Sequence, residues 1–115
     1  MPAYQTTSTP QLHYLSPGDK FLLVNNAATD TGITNTIQVS VAAQPNASSK
    51  LTLVNNTNQT ATVQVAAVDA NANYVPLTAT VTAAAGAAVV FDCVGPWVRC
   101  NYSVAPTTGS LYLCR

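Results

Sequence analysis

Three residue types in this chain could do chemistry: a single histidine, His13; four carboxylates, Asp19, Asp30, Asp69 and Asp92; and three cysteines, Cys93, Cys100 and Cys114. A triad or a histidine general base needs an imidazole held rigidly between its partners. His13 sits in a Thr- and Pro-rich N-terminal stretch that offers no such support. The carboxylates fall mostly in turn-like segments, where Asp caps backbone amides, and no two share a strand face. A structural zinc site wants four ligands in closely spaced Cys pairs, whereas six and thirteen residues separate these cysteines. Neither a reaction, a metal nor a cofactor is expected.

The cysteines raise a question of register. If 97–104 and 110–114 form a hairpin with Val104 opposite Ser110, Cys100 faces Cys114 and a disulfide follows. That register puts Leu111 and Leu113 on the face of Asn101 and Ser103. A one-residue shift keeps the apolar residues together, and burial decides between registers. Free thiols are therefore expected, Cys100 in the core and Cys114 facing outward. Asp30-Thr31-Gly32 matches the aspartic-protease signature by chance, because those enzymes juxtapose two such loops. The Asn-x-Ser/Thr sequons at Asn46, Asn55, Asn58 and Asn101 are read as by-products of an Asn- and Thr-rich composition. Trp97 is the leading exposed candidate: alternation sets it on the face of Arg99, opposite Val98. Trp and Arg are enriched at interface hot spots, and sugar stacking is the competing use for Trp97.

The elements that carry these residues are strands. Lys20 to Val24 is short and apolar. Thr36 to Ala43 alternates, with Ile37, Val39 and Val41 on one face. Leu51 to Val54 and Thr60 to Val68 read as a hairpin around Asn55-Asn56-Thr57-Asn58-Gln59. Pro76 places Tyr74–Leu77 at a strand start or an edge, and Thr78 to Ala83 continues it. The alanine run before Val89 is too short for a helix and reads as a turn into Val89–Cys93. Trp97 to Val104 and Ser110 to Cys114 complete the set. About eight short strands, with turn signals every 8–12 residues, predict an all-β antiparallel sandwich, for which a jelly roll is one candidate form. Residues 18–115 make that domain. Residues 1–17 hold Pro2, Pro10 and Pro17 and no charge, and read as an extended arm with Tyr4, Leu12, Tyr14 and Leu15 spaced as anchors.

With 115 residues the chain fits one domain. The core material is light, since 18 residues are Ala against two Phe and one Trp. That combination suggests stability drawn from neighbouring subunits. Only four Lys or Arg and four Asp are present, with a formal net charge of zero. Scattered cations leave no footprint for nucleic acid. No apolar run approaches the ~20 residues of a membrane helix, and MPAYQTTSTPQLHY lacks the basic start and apolar stretch of a signal peptide.

Two stretches resemble small β-sandwich structural proteins of tailed bacteriophages. One is Leu51-Thr52-Leu53-Val54-Asn55-Asn56-Thr57 with Ala61-Thr62-Val63-Gln64-Val65. The other runs from Ala85 to Asp92, through Gly95-Pro96-Trp97-Val98-Arg99, to Thr108-Gly109-Ser110-Leu111-Tyr112-Leu113. The resemblance covers about the last two-thirds of the chain. It implies a capsid decoration (cement) protein, commonly a homotrimer seated on the capsid exterior and bound to the major capsid protein. Tyr4, Leu12, Tyr14, Trp97 and Arg99 are the expected contact residues. The alternative class is a carbohydrate- or receptor-binding module of a tail fibre or adhesin, using Trp97 and tyrosines as stacking platforms.

Overall fold

Alternation becomes register as soon as the strands pair. In β3 (Lys50–Asn55), Leu51 and Leu53 point into the core while Thr52 and Val54 point away. The computed structural model describes residues 20–26, 32–39, 50–93 and 96–115. The remaining strands in it are β1 (Lys20–Val24), β2 (Ile37–Gln38), β4 (Ala61–Ala66), β5 (Val75–Pro76), β6 (Thr82–Ala83), β7 (Ala88–Asp92), β8 (Trp97–Tyr102) and β9 (Leu111–Cys114). The expected arm, residues 1–17, and Val41 to Ala43 lie outside the described residues.

Two antiparallel sheets result, in the orders β1-β9-β3-β7 and β2-β8-β4-β5, with β6 also on β4. The pairs nest: β1 with β9, β2 with β8, β3 with β7, and β4 with β5 and β6. The chain is thus one long antiparallel hairpin rolled into two layers, the pairing pattern of a jelly roll. The expected all-β sandwich is the observed architecture. Between the layers, Leu23, Leu51, Leu53, Leu111 and Leu113 of the four-stranded sheet meet Ile37, Val63, Val98 and Cys100 of the other. Burying each such Leu or Ile contributes about 1.5–3 kcal/mol.

Local expectations fare unevenly. Pro76 does lie in an edge strand, opposite Gln64. The strand continuing from it is interrupted: residues 77–80 leave the edge, the Val81 carbonyl accepts from the Val63 amide at 2.9 Å, and Thr82–Ala83 pairs with β4 opposite Thr62 and Ala61. The alanine segment is a turn, closed by the Ala87 amide donating to the Ala84 carbonyl at 3.0 Å.

Both expected hairpins are wrong. β3 and β4 lie in different sheets, and so do β8 and β9. The Asn55 to Thr60 connection is an arch between layers because Asn55 turns its side chain inward. Its Nδ2 donates to the carbonyls of Gln59 at 2.8 Å and Ala83 at 2.9 Å. Its Oδ1 accepts from the Thr57 amide at 3.0 Å and from the Thr57 hydroxyl. Tyr102 donates its hydroxyl proton to Thr57 Oγ1 at 3.0 Å, since the single Thr57 proton is already given to Asn55. Gly109 in the second connection lies against the arch: at φ +89, a Cβ on it would sit 1.9 Å from the Asn56 carbonyl oxygen. The face assignments survive although the hairpin does not: Cys93, Cys100 and Cys114 are free thiols, Cys100 in the core and Cys114 on the outer side of its sheet.

Asn55→Ala leaves two carbonyls and the Thr57 amide without their partner inside the fold. An unsatisfied buried group costs about 1–3 kcal/mol, so a loss of about 3 kcal/mol or more is expected in urea unfolding. Unchanged stability would show that the amide is incidental to the arch.

Candidate functional site

The outer face of the five-stranded sheet collects the residues singled out from the sequence. β8 directs Trp97 and Arg99 outward, and across the ladder they face Ala66 and Gln64 of β4. The chain then leaves β4, makes a short 3₁₀ turn at Asn71–Asn73, and returns with Tyr74 lying back over this face. The Arg99 guanidinium stands 4.2 Å from the centre of the Tyr74 ring. Its Nε donates to Gln64 Oε1 at 2.9 Å, and Nη1 donates to Asn71 Oδ1 at 2.7 Å. Tyr74 donates its hydroxyl to Asp69 at 2.7 Å, and Thr36 donates to the other carboxylate oxygen at 3.2 Å. Burial, then the hydrogen bond to Asp69, pushes the Tyr74 hydroxyl well above the ordinary tyrosine value.

This arrangement corrects one expectation. Trp97 and Arg99 share a face, as alternation implied, but they are not exposed: the residues retain 8% and 7% of their accessible surface. Trp97 packs with Ala66 and Tyr74 in a small second apolar cluster outside the sandwich core. A desolvated cation over an aromatic ring contributes up to about 2 kcal/mol. The cluster works as a clamp that pins the 67–74 connection to its sheet. Of the other expected contact residues, Tyr4, Leu12 and Tyr14 lie outside the described residues, as does His13.

Among the described residues no group of three His, Cys, Asp or Glu side chains is placed to hold a metal ion. Asp69 belongs to the clamp. Asp92 pairs with Lys50 at 3.3 Å on the other sheet, in an exposed contact. The Asp-Thr-Gly segment ends with the Gly32 carbonyl accepting from the Tyr102 amide at 2.7 Å. Asp30 lies outside the described residues.

The second sheet presents a different surface. Leu22, Tyr112, Val54 and Ala88 stand opposite one another in a single row that crosses all four strands on the outer face. The next row is Lys20, Cys114, Thr52 and Val90. Val90 is 58% exposed and Leu22 is exposed as well, while the Lys20 ammonium sits 5.9 Å from the Tyr112 ring centre.

No family model, curated protein or solved structure matches the chain.

The two outer faces therefore differ in kind. One is folded over by its own chain and locked with hydrogen bonds. The other carries an apolar row and beside it a row whose one charged member is Lys20 at the β1 end, an exposed apolar surface of the type found at interaction sites. Sequence reasoning missed this row because it assigned each apolar set to the interior. The signal was present in Leu22 beside Leu23, and in Val54 two residues from Thr52.

Trp97 is the sole tryptophan, so its fluorescence reports on the clamp alone. Arg99→Met should red-shift the emission as water reaches the ring, and lower stability by about 1–3 kcal/mol. A blue, unshifted spectrum would mean that Tyr74 stays in place without the guanidinium.

Alkaline titration tests the buried acids. Burial pushes Tyr102 up to about 12 and raises the Cys100 thiol from its ordinary 9.0, as it raises Tyr74. A group that holds its proton more tightly when folded stabilises fully below its unfolded pKa, and that contribution is lost as pH rises through the folded value. Stability should be level through neutral pH. Above about pH 9–10 it should fall by about 1.4 kcal/mol per pH unit for each such group. Urea melts on a pH series check this, and Tyr102→Phe should make the decline shallower.

Proposed function

We propose that this chain is a non-enzymatic structural protein of a bacteriophage virion. It decorates the capsid exterior and stabilises it by binding the lattice of the major capsid protein, as an oligomer. The observation that carries the proposal is the apolar row Leu22–Tyr112–Val54–Ala88 crossing all four strands of an outer sheet face. Such a surface suits a flat protein partner better than a small solute, which needs a concave site. The rolled two-sheet architecture supports it too, since jelly rolls serve in viral capsids and in lectins. A fold alone does not assign a function; here it agrees with the resemblance in the 51–65 and 85–113 stretches.

The physical logic is avidity. Many weak contacts repeated over a lattice hold a subunit without one tight site. Neutral contacts also spare the desolvation cost that buried charges impose. The N-terminal residues 1–17, with Tyr4, Leu12 and Tyr14, extend the reach of each copy to its neighbour in this reading. The carbohydrate-binding alternative rested on Trp97 as a stacking platform, and Tyr74 and Ala66 already pack against that ring.

Co-sedimentation with undecorated capsids of the parent phage tests the proposal. The full chain should pellet with capsids, Val54→Lys should weaken the association at least about tenfold by placing a charge in the apolar row, and Arg99→Met should leave it unchanged. Retention of the chain on a glycan array, with none on capsids, would replace this reading with the lectin class.

A further inference from the structure

A sheet edge presents unpaired backbone groups, and proteins usually blunt it with short strands, proline, bulges or covering segments. Three of the four edges in this sandwich are blunted. Along β1, the Asn35 amide donates to the Leu23 carbonyl at 3.0 Å and its Nδ2 to the Leu22 carbonyl at 3.4 Å. β2 is two residues long. The β5 and β6 edge contains Pro76 and is broken by residues 77–80.

β7 is built otherwise. It pairs with β3 in unbroken register from Lys50↔Asp92 to Val54↔Ala88, with neither proline nor lysine. The Asn55 amide donates to the Ala87 carbonyl at 2.9 Å, which fixes the phase of the ladder. In an antiparallel pair the bonding residues alternate, so Val89 and Phe91 bond toward β3. Ala88 and Val90 direct their N–H and C=O groups to the opposite side, where nothing among the described residues pairs with them.

We propose that β7 is a self-pairing edge, at which a second copy of this chain extends the four-stranded sheet across a twofold axis. The axis passes at Val89. Ala88 of one copy then lies opposite Val90 of the other, and each such pair exchanges both of its hydrogen bonds. Three features select a second copy as the occupant. The apolar row Leu22–Tyr112–Val54–Ala88 runs on into Val90 of the second copy, which joins the two outer faces in one apolar band. Val89, half-buried at the rim of the core, meets its own equivalent and is covered. Asp92 comes opposite Gly86 rather than a like charge, so the contact sets no two carboxylates against each other. A twofold contact of this kind is isologous and closes on itself. The inference stands on the edge alone and holds whether or not the chain decorates a capsid.

Sedimentation velocity on the full chain over a concentration series tests it, with Val90→Pro as the variant. The Val90 N–H points away from β3, so proline there spares the internal ladder. It removes one of the two outward donors, that of residue 90, on each copy. The wild type should form a dimer, and Val90→Pro should weaken it at least about tenfold while keeping native circular dichroism and Trp97 emission. Amide exchange on the wild type gives an arm that needs no variant: the Ala88 and Val90 amides should become protected as concentration rises, with the Leu53 amide unaffected. A monomer at every concentration, a trimer, a dimer that persists undiminished in Val90→Pro, or a wild-type dimer whose Val90 amides stay unprotected would each overturn the inference. None of these outcomes bears on capsid co-sedimentation, so the two readings fail separately.

Discussion

The fold depends on one buried amide. Asn55 is fully buried, and its side chain has two donors and an oxygen with two lone pairs. All of these are used inside the protein, on Gln59, Ala83 and Thr57. The backbone of the same residue donates to Ala87 and accepts from Gly86. Through Thr57 the network reaches Tyr102 at the end of β8. One residue therefore gathers the arch, the end of β6, the turn before β7 and the end of β8. A polar group this deep is tolerated only when fully satisfied, and that requirement admits few arrangements of the chain.

From that crossing the rest follows in order. With β3 and β4 placed in opposite layers, their apolar residues face each other across the core instead of lying side by side. Each later strand pairs with its mirror in the sequence, β7 with β3 and β9 with β1, because the roll is already turned. The outward-facing residues are then divided between two sheets with different fates. On the five-stranded sheet the 67–74 connection folds back and Tyr74 covers Trp97 and Arg99. On the four-stranded sheet, Leu22 and Val90 stay exposed among the described residues. Asymmetry between two otherwise similar faces is what separates a stabilising surface from one available to partners.

Local physics was legible and long-range physics was not. The alternation Val98, Cys100, Tyr102 against Trp97, Arg99, Asn101 gave the two sides of β8 correctly. Pro76 gave an edge, and Gly86 within the alanine run gave a turn. The Asn-rich segment at 55–59 was read as a hairpin because arches and hairpins use the same turn residues. They differ in where the flanking apolar faces point, which depends on strands forty residues away. The burial of Trp97 was invisible for the same reason: alternation assigns a face, while the cover on that face comes from Tyr74 on another segment. The apolar row on the four-stranded sheet was hidden by the habit of equating apolar with interior, although much of any folded surface is apolar.

The low charge takes on a sharper meaning in the structure. The few charged groups among the described residues are largely committed within the chain. Lys50 pairs with Asp92, Arg99 is held by Gln64, Asn71 and Tyr74, and Asp69 takes hydrogen bonds from Tyr74 and Thr36. Arg115 reaches from the end of β9 to the Val39 carbonyl at 3.1 Å, and so ties the two layers together. Charge here acts mainly as internal fastening. Apart from Lys20 and the exposed Lys50–Asp92 pair, the described residues present mainly hydroxyl, amide and aliphatic surface outward, which offers a partner little long-range steering and little to screen with salt. Association through such a surface must be selected by shape and by the number of repeated contacts, a condition that a regular assembly of identical subunits meets.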